Sequence, residues 1–373
     1  MNFAFDEEQV SLGDTVARLL ADHPALVGPD LDQAAPTVWQ ALAELGLFML
    51  LVPEEQGGAG LAPIDLTLAV EALGGSLAPA GVIATLLATD LIVQHGTPAQ
   101  RDTLLPQIAG GDLRFAVALY EADRDFDPAT LGAAVDGGVL NASKIAVADA
   151  AAAQMLLVIA RGRDGMGCYL VPADVAGVTI TPHEDIDPTA GLCAVRFDGV
   201  KLDESALLGA PGLAIARLID TAASLHAALL TGIASRMLDT AIEYAKTREQ
   251  FGQPIGSFQA LKHRCADMAV SLDSARSATY YAVWAASENA SDRARAASMA
   301  KAYAGDVARQ ICNEAIQLHG GMGFTWDLAL HRFLRRAKVI EHAFGSTAWH
   351  NERLLQETLA MLAAEDEAGR AAA

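Results

Sequence analysis

The 373-residue chain is acidic, with 26 Lys and Arg against 46 Asp and Glu and a formal net charge of −20. That charge argues against nucleic acid as a partner, which needs clustered Lys and Arg, and against an anionic membrane surface. Hydrophobic residues make up 52% of the chain, so a large core is expected, and the length fits two or three packed units. The acidic start MNFAFDEEQV is unlike a signal peptide, and no apolar run reaches the length of a membrane span. We expect a cytoplasmic protein.

The cysteines and histidines show no spacing typical of a metal site or a disulfide framework. Four cysteines, at positions 168, 193, 265 and 312, lie far apart with no CxxC pair. None of the nine histidines stands at metal-ligand spacing from another His or Cys. We therefore predict no metal site and expect the cysteines to be small buried apolar residues.

Residues 1–111 are predicted to form a helical domain. An amphipathic pattern ends at Gly46, and helical periodicity resumes over 65–73 and 80–95 and again from Pro98. From residue 112 to residue 209, short apolar runs alternate with Gly and Asp clusters, a spacing typical of a β-barrel or sandwich. The predicted strands cover 113–119, 133–140, 155–160, 168–171, 178–182 and 194–197.

Residues 210–373 return to helical periodicity, with long patterns over about 213–249, 257–289, 291–318 and 328–365. Ser257 and Ser291 are predicted N-caps, and Gly320 with Gly321 is predicted to end the third helix. Long helices with short connections predict a four-helix bundle. The predicted fold class is therefore α+β, with an N-terminal helical domain, a middle β domain and a C-terminal bundle.

The common catalytic motifs are missing from the sequence. There is no GxGxxG after a strand, no phosphate-binding P-loop, no HExxH and no GxSxG, so Rossmann dehydrogenases, P-loop enzymes, zinc hydrolases and serine hydrolases are disfavoured. The stretch TREQFGQPIGSFQALKHRCADM at 247–268 is more informative. It crowds charged, amide and aromatic side chains around a short loop between two predicted helices.

This stretch resembles a signature of the acyl-CoA dehydrogenase flavoprotein family. Three other segments resemble the family in the same order and spacing. Residues 45–61 resemble its first-domain turn, residues 197–209 its exit from the β domain, and residues 317–324 its second cofactor motif. The likeness covers nearly the whole chain, and the fold predicted above is also the fold of that family.

The resemblance implies an FAD-binding oligomer, a homotetramer or dimer of dimers, in which the bundle of one subunit supplies part of its neighbour's flavin site. The implied FAD contacts are Arg248, Phe251, Gln259, Gln317, Gly320 and Gly321. Arg248 would pair with the pyrophosphate, and the two glycines would let backbone approach the cofactor. Each contact has a plainer alternative, with Phe251 a core residue and Gly320 only a helix cap. An electron-transfer flavoprotein is the implied electron acceptor.

The residues expected to carry the chemistry depart from the family. In the implied reaction, α,β-desaturation of an acyl-CoA thioester, a carboxylate removes the α-proton and the flavin accepts the β-hydride. The usual base position holds Phe344, and an alternative position on the first bundle helix holds Ala223. Glu341 is the predicted replacement base, and Asp220 is a second candidate. The alternative for each is an ordinary ion-paired carboxylate, since Glu341 has Lys338 three residues before it.

The middle domain departs from the family as well. Asp125-Phe126 stands where the family has a Gly-Ser that accepts the pyrophosphate, and an added carboxylate would repel phosphate. Ala146-Val147-Ala148 stands where the family has a Trp-x-Thr that contacts the flavin. The losses fall in the half of the site that a subunit builds for itself, while the half that it lends to a neighbour is kept.

Two functions therefore stay open. The first is an acyl-CoA dehydrogenase with a relocated base. The second is a non-catalytic subunit of a heteromeric acyl-CoA dehydrogenase, lending Arg248 and the Gln317–Gly321 segment to a partner's FAD, as in the mixed tetramers that act on steroid side chains. An oxidase or monooxygenase on this fold has no specific support. The expected setting is β-oxidation of a fatty acid or a steroid side chain.

Overall fold

The computed structural model describes residues 5–28, 31–122, 124 and 126–371. Within those residues the helices before the sheet are α1 (Glu7–Ala21), α2 (Leu31–Glu44), α3 (Thr67–Gly75), α4 (Ala80–His95) and α5 (Pro98–Ala109). Those after the sheet are α6 (Leu213–Thr247), α7 (Gln259–Ser287), α8 (Arg293–His319), α9 (Leu330–His342) and α10 (Thr347–Ala371).

The middle of the chain forms an 8-stranded sheet in the order β6-β7-β3-β2-β4-β5-β8, with β1 pairing parallel to β4 off that path. Its strands are β1 (Phe115–Ala118), β2 (Ala134–Asp136), β3 (Val139–Ala148), β4 (Met155–Gly162), β5 (Gly165–Pro172), β6 (Val178–Pro182), β7 (Leu192–Lys201) and β8 (Leu207–Leu208). Two short strands, β9 (Glu249–Gln250) and β10 (Gln253–Pro254), form a separate antiparallel pair.

The sheet forms where the apolar runs were predicted because alternate side chains are buried in one core. Leu140, Val158, Val195 and Phe197 all belong to that core, and burial alternates along β7 from Leu192 to Phe197. The order of helices, sheet and helices confirms the predicted α+β class. One difference is that β3 runs on to Ala148, so the segment expected to contact the flavin lies within a strand.

The chain divides into two compact units. One comprises residues 14–65 and 76–219 and contains the sheet; the other comprises residues 1–13, 66–75 and 220–373 and contains the bundle. The boundaries at 1–111, 112–209 and 210–373 stay a prediction. Among the described residues, α6 alone is long and apolar enough in composition to cross a membrane, but 89% of that window is buried inside the folded chain. Its apolar residues therefore serve as core.

In the helical unit, α3 crosses α6 at backbone contact distance. A Cβ added to Gly232 would lie 1.9 Å from the Glu71 carbonyl oxygen, so only glycine permits the crossing. The Glu71 carboxylate is buried there and accepts hydrogen bonds from Thr231 Oγ1 (2.9 Å), Tyr280 OH (3.1 Å) and Arg276 Nε (3.3 Å). These partners satisfy a charge that would otherwise be costly to bury.

The fourth predicted helix, 328–365, is broken into α9 and α10 by the turn at 343–346. Phe344 has φ 55° and Gly345 has φ 109°, and neither value continues a right-handed helix. The predicted caps Ser257 and Ser291 are wrong, because the N-cap positions of α7 and α8 are Phe258 and Asp292 and neither makes a side-chain cap. Gly320 does cap the C-terminus of α8.

The cysteines are free thiols, as predicted. Cys168, Cys193 and Cys312 are buried and Cys265 is half-buried. Burial raises the pKa of Cys168 to about 12, so that thiol stays protonated and behaves as a small apolar group. The cysteines contribute packing rather than reactivity.

Candidate active site

The arm, residues 248–258, connects α6 to α7 as a closed hairpin. Gln253 pairs with Gln250 and Pro254 with Glu249, and the Ile255 backbone N–H donates to the Arg248 carbonyl at 2.8 Å. The two central residues, Phe251 and Gly252, have φ values of 54° and 79°. A two-residue loop with both φ values positive suits the twist of the paired strands. The arm is therefore an ordered projection with a fixed tip.

The side chains of the arm point away from the core. Phe251 is 93% exposed and touches Phe258 edge to face, with ring centroids 6.1 Å apart. Arg248 and Gln259 are also exposed, and neither side chain has a hydrogen bond or ion pair within the described part of the chain. Phe251 is therefore not a core residue. A bulky residue with positive φ is strained, and an exposed aromatic ring is unfavourable in water. Such features concentrate at contact sites.

The second cofactor segment, residues 317–324, follows the end of α8. Gly320 has φ 58° and ψ −137°, a conformation that favours glycine. A Cβ on Gly320 or Gly321 would meet no atom within 4 Å, whereas one on Gly323 would lie 2.6 Å from the Ile316 carbonyl oxygen. Gly323 is therefore needed for packing inside the chain, while Gly321 is not. Open backbone at Gly320 and Gly321 suits close approach by a ligand.

The structure brings the arm and the 317–324 segment to one end of the bundle. Tyr244, on the last turn of α6, stacks on His319, the last residue of α8, with ring centroids 4.1 Å apart. The Arg248 backbone N–H donates to the Tyr244 carbonyl at 2.8 Å, and His319 Nδ1 lies 2.7 Å from the Ala315 carbonyl oxygen. The Tyr244–His319 stack is therefore close in sequence to Arg248 on α6 and to Gly320 after α8.

The turn at the family's base position, residues 343–346, is packed as core. Phe344 is 8% exposed, and the His226 ring lies 5.0 Å from it between centroids. His226 is one helical turn beyond Ala223 on α6, so the two family base positions belong to the same region. Neither position carries a carboxylate.

Two polar residues that the sequence did not single out form hydrogen bonds with this turn, and His226 packs beside it. Lys301 Nζ donates to the carbonyls of Glu341 (2.9 Å) and Gly345 (3.3 Å), and His350 Nε2 lies 3.0 Å from the Phe344 carbonyl oxygen. Burial lowers the pKa of Lys301 to about 7, opposed by the charge of Glu341. Burial and the Lys301 charge lower the pKa of His226 and of His350 to about 3. Both imidazoles are neutral at neutral pH. Isolated Lys and His within helical patterns carry no signal that would have predicted this cluster.

Both candidate bases are buried and ion-paired. Glu341 is 7% exposed and pairs with Lys338 Nζ at 2.9 Å and Arg309 Nε at 3.4 Å. Asp220 is 1% exposed and pairs with Arg293 Nε at 2.7 Å and Arg353 Nη2 at 2.6 Å. Each carboxylate therefore has two cationic partners.

The middle-domain positions carry small or apolar side chains. Ala146 is exposed with φ 50°, Val147 is fully buried, and Phe126 packs against Tyr120 with ring centroids 5.6 Å apart. Asp125 lies outside the described residues. None of these three side chains offers a hydrogen-bond donor to a phosphate or a flavin. Of the positions that the resemblance implies, those on the arm and at the start of α7 offer side-chain donors, namely Arg248 and Gln259.

Comparison with known proteins identifies the family. The model of the acyl-CoA dehydrogenase N-terminal domain matches residues 6–112, and that of its C-terminal domain matches residues 213–359. Probable acyl-CoA dehydrogenase YngJ of Bacillus subtilis is 33% identical over 93% of this chain and 97% of its own length.

Two solved structures are also similar. Butyryl-CoA dehydrogenase from Megasphaera elsdenii has a TM-score of 0.87 at 26% identity, over 96% of this chain and 100% of that one. The ChsE4–ChsE5 complex from Mycobacterium tuberculosis also has a TM-score of 0.87 at 26% identity, over 96% and 99%. The chain belongs to the acyl-CoA dehydrogenase family, oxidoreductases that act on CH–CH bonds.

Proposed function

We propose that the chain serves the FAD-dependent α,β-desaturation of an acyl-CoA thioester. The observation that carries this proposal is the meeting of the arm and the 317–324 segment at one end of the bundle, joined by the Tyr244–His319 stack. FAD, when bound, supplies the acceptor for the β-hydride. Arg248 would hold the pyrophosphate through its guanidinium fork, and Gly320 and Gly321 would admit the cofactor to their backbone. Phe251, Gln259 and Gln317 would complete the contacts.

Glu341 is proposed as the base that removes the α-proton. It is the carboxylate nearest in sequence to the usual base position, and it forms ion pairs with Lys338 and Arg309. Asp220 is the second candidate. Both would act with Phe344 closing the usual position to water, since an apolar ring there excludes solvent from the turn.

The partners and setting that we propose are supported by membership of the family. The chain would form a homo- or hetero-oligomer, a dimer of dimers, because the arm is exposed and its proposed cofactor contacts would serve a neighbouring subunit. It would pass electrons to an electron-transfer flavoprotein in the cytoplasm. The acyl group would belong to β-oxidation of a fatty acid or a steroid side chain.

A second candidate function has one specific observation in its favour. Phe344 and Ala223 leave both family base positions without a carboxylate, while the lending half of the flavin site is kept. A non-catalytic subunit of a heteromeric acyl-CoA dehydrogenase would show this division. The similar ChsE4–ChsE5 structure is a complex of two named proteins. The relatives named as dehydrogenases do not favour this alternative.

The visible absorption spectrum of the chain, purified alone with FAD supplied, tests the proposal. About one flavin per subunit is expected, and bound flavin should bleach when an acyl-CoA substrate is added. A folded protein that stays colourless alone and binds flavin only with a co-expressed homologue would replace the first function with the second. A folded protein that stays colourless in both settings would contradict both.

A further inference from the structure

A chain of hydrogen bonds leads from Asp220 towards the base turn, residues 343–346. The Asp220 carboxylate accepts from Arg293 Nε at 2.7 Å and from Arg353 Nη2 at 2.6 Å. Arg353 Nη1 also donates to Ser298 Oγ at 3.5 Å, and Ser298 Oγ lies 3.3 Å from His350 Nδ1. These five residues, which come from α6, α8 and α10, are called the Asp220 network. Asp220, Ser298 and His350 are buried, so bulk water does not compete for their hydrogen bonds.

The contacts of His350 fix the direction of these hydrogen bonds. His350 Nε2 lies 3.0 Å from the Phe344 carbonyl oxygen, and because a carbonyl only accepts, Nε2 carries the ring proton. Burial, followed by the charges of Lys301 and Arg353, lowers the pKa of His350 to about 3. The ring therefore carries no second proton at neutral pH, and Nδ1 is an acceptor. The Ser298 hydroxyl donates to Nδ1, so it selects the tautomer in which His350 donates to the base turn.

The first turn of α10 packs directly on the base turn. A Cβ added to Gly345 would lie 2.7 Å from Trp349 Cε3 and 2.9 Å from His350 Nε2. The Trp349 and His350 rings meet edge to face at 4.8 Å, and the Arg353 guanidinium carbon lies 5.5 Å from the Trp349 ring centroid. A shift of His350 would therefore shift the backbone of the base turn with it.

The base turn in turn adjoins Glu341, in the last turn of α9. A Cβ on Gly305 would lie 3.3 Å from Glu341 Cγ and 3.3 Å from Thr347 Oγ1, so the side chains of Glu341 and of the first residue of α10 lie against the same point of α8. Lys301, one turn earlier on α8, donates to the carbonyls of Glu341 and Gly345. The orientation of Glu341 therefore depends on where the base turn and the start of α10 are held.

We propose that the Asp220 network positions Glu341 for removal of the α-proton. Asp220 is then not a base. Each of its oxygens accepts from an arginine, and one of these arginines leads through Ser298 to the base turn. The network residues are positioning residues, and Glu341 alone exchanges the proton. The inference rests on the proposed function for the role of Glu341, whereas the link between Asp220 and the base turn does not depend on desaturation.

Hydrogen exchange, followed by mass spectrometry of the chain freed of flavin, tests the link itself. Ser298→Ala and Asp220→Asn are each expected to speed amide exchange of residues 343–350 about fivefold, because a hydrogen bond of the network is lost. Asp239→Asn is the matched control, since it removes an exposed carboxylate of the same helix as Asp220, and it should leave that exchange unchanged. Unchanged exchange in both network variants overturns the proposal.

Two variants of His350 separate positioning from a merely structural role. The longer amide in His350→Gln replaces the Nε2 donor to Phe344, whereas the shorter amide in His350→Asn lies near the place of Nδ1 and leaves that carbonyl without its donor. With butyryl-, octanoyl- and palmitoyl-CoA as probes, the limiting rate of flavin bleaching should fall about tenfold in His350→Asn and recover in His350→Gln. The acyl-CoA concentration that gives half this rate should not change. An equal fall in both variants, or a fall in neither, overturns the proposal.

A double variant decides whether Asp220 positions the turn or acts as the base. If Asp220 acts through Ser298, then Asp220→Asn, Ser298→Ala and the double variant should all show limiting rates about tenfold below the parent rate, because the second change breaks a link already broken. A fall of about 10²-fold or more in Asp220→Asn, multiplied further by Ser298→Ala, makes Asp220 the base and overturns the proposal. If the parent chain bleaches with none of the three probes, that result counts against the proposed function, and the exchange result alone decides the network.

Discussion

Two regions of the helical unit differ in whether their groups are exposed or are packed and hydrogen-bonded within the chain. At the flavin end, formed by the arm and the 317–324 segment, Phe251 is 93% exposed and a Cβ on Gly321 would meet no atom within 4 Å. At the base turn, residues 343–346, Phe344 is 8% exposed and its carbonyl faces His350. The flavin end offers groups to something outside the chain. At the base turn, the backbone carbonyls bond to side chains of the same chain.

The energetics of the base turn account for this closure. Burying a phenylalanine side chain contributes roughly 1.5–3 kcal/mol to folding, whereas a buried carboxylate without partners would be strongly unfavourable. Phe344 occupies a left-handed conformation with φ 55°, which costs about 1–3 kcal/mol. The hydrogen bonds from Lys301 and His350 to neighbouring carbonyls offset that cost. The difference between the regions teaches that the chain leaves exposed groups at the flavin end, where we propose the cofactor contacts, and uses buried groups for stability at the base turn.

The largest expected effect is on catalysis, in a variant of Glu341 next to the base turn. In Glu341→Gln, the rate of substrate-dependent flavin bleaching should fall by about 10²–10⁴-fold, the usual contribution of a general base. Lys338→Gln is the control, because it removes one ion-pair partner of Glu341 and keeps the carboxylate. An unchanged rate in Glu341→Gln, with flavin still bound, would make Glu341 a structural ion pair and sharpen the contrast between the two regions.

A second test removes the cation of the flavin end. Arg248→Gln should weaken FAD binding by about 10–100-fold, because charge-assisted hydrogen bonds to the pyrophosphate are lost. The melting temperature without FAD should not change, since Arg248 is exposed. Flavin fluorescence on titration of the full chain measures the affinity. Lys262→Gln, an exposed cation on α7, is the matched control. Equal affinity in the parent chain and Arg248→Gln would remove Arg248 from the site.

A third test separates cofactor approach from helix capping. Gly321→Val should weaken FAD binding about tenfold by holding the cofactor away from the backbone, by analogy with other close backbone approaches to ligands. Stability should be nearly unchanged, since a Cβ at Gly321 meets open space and its φ is not positive. Gly323→Val is the contrasting variant, because its side chain would collide with the Ile316 carbonyl and destabilise the fold. Unaltered flavin affinity in a stable Gly321→Val would leave only the capping role at this segment.

The sequence predicted the larger plan of the molecule because that plan follows from periodicity. Helices, strands and the cap at Gly320 all follow from apolar spacing and glycine placement. The break at 343–346 was missed because the left-handed Phe344 is held by tertiary hydrogen bonds from Lys301 and His350, and nothing local distinguishes it from a helical residue. The predicted caps Ser257 and Ser291 were wrong because the N-cap of each helix is the next residue along the chain.

The candidate site could be predicted only in part. The motifs at 247–268 and 317–324 predicted which residues contact FAD at the flavin end, and that role stays a prediction. The ion pairs of Asp220 join residues from three different helices. The contacts of Arg332 and Arg335 with the Trp326 ring depend on how α9 packs against the loop before it. Such contacts are set by packing, and one sequence without aligned relatives gives no signal for them.

The smallest expected effect concerns the pH dependence of the base turn. The pKa of Lys301 is lowered from 10.5 to about 7 by burial, so between these values the unfolded chain binds a proton that the folded chain does not. The free energy of unfolding should therefore rise with pH above 7, by at most about 1.4 kcal/mol per pH unit from this group. His226 and His350 act in the same sense at lower pH, with stability lost as pH falls from 6.5 towards 3.

Lys301→Met isolates the lysine contribution. The variant should be less stable at every pH because the carbonyls of Glu341 and Gly345 lose their donor, but its stability should rise less steeply between pH 7 and pH 9 than that of the parent chain. Urea unfolding at pH 7, 8 and 9 measures both quantities, and Lys262→Met provides an exposed lysine whose loss should leave the slope alone. If Lys301→Met keeps the parent slope, Lys301 stays charged in the folded chain. The base turn would then hold a solvated cation. The contrast between a closed base turn and an open flavin end would be weaker than the burial of Lys301 indicates.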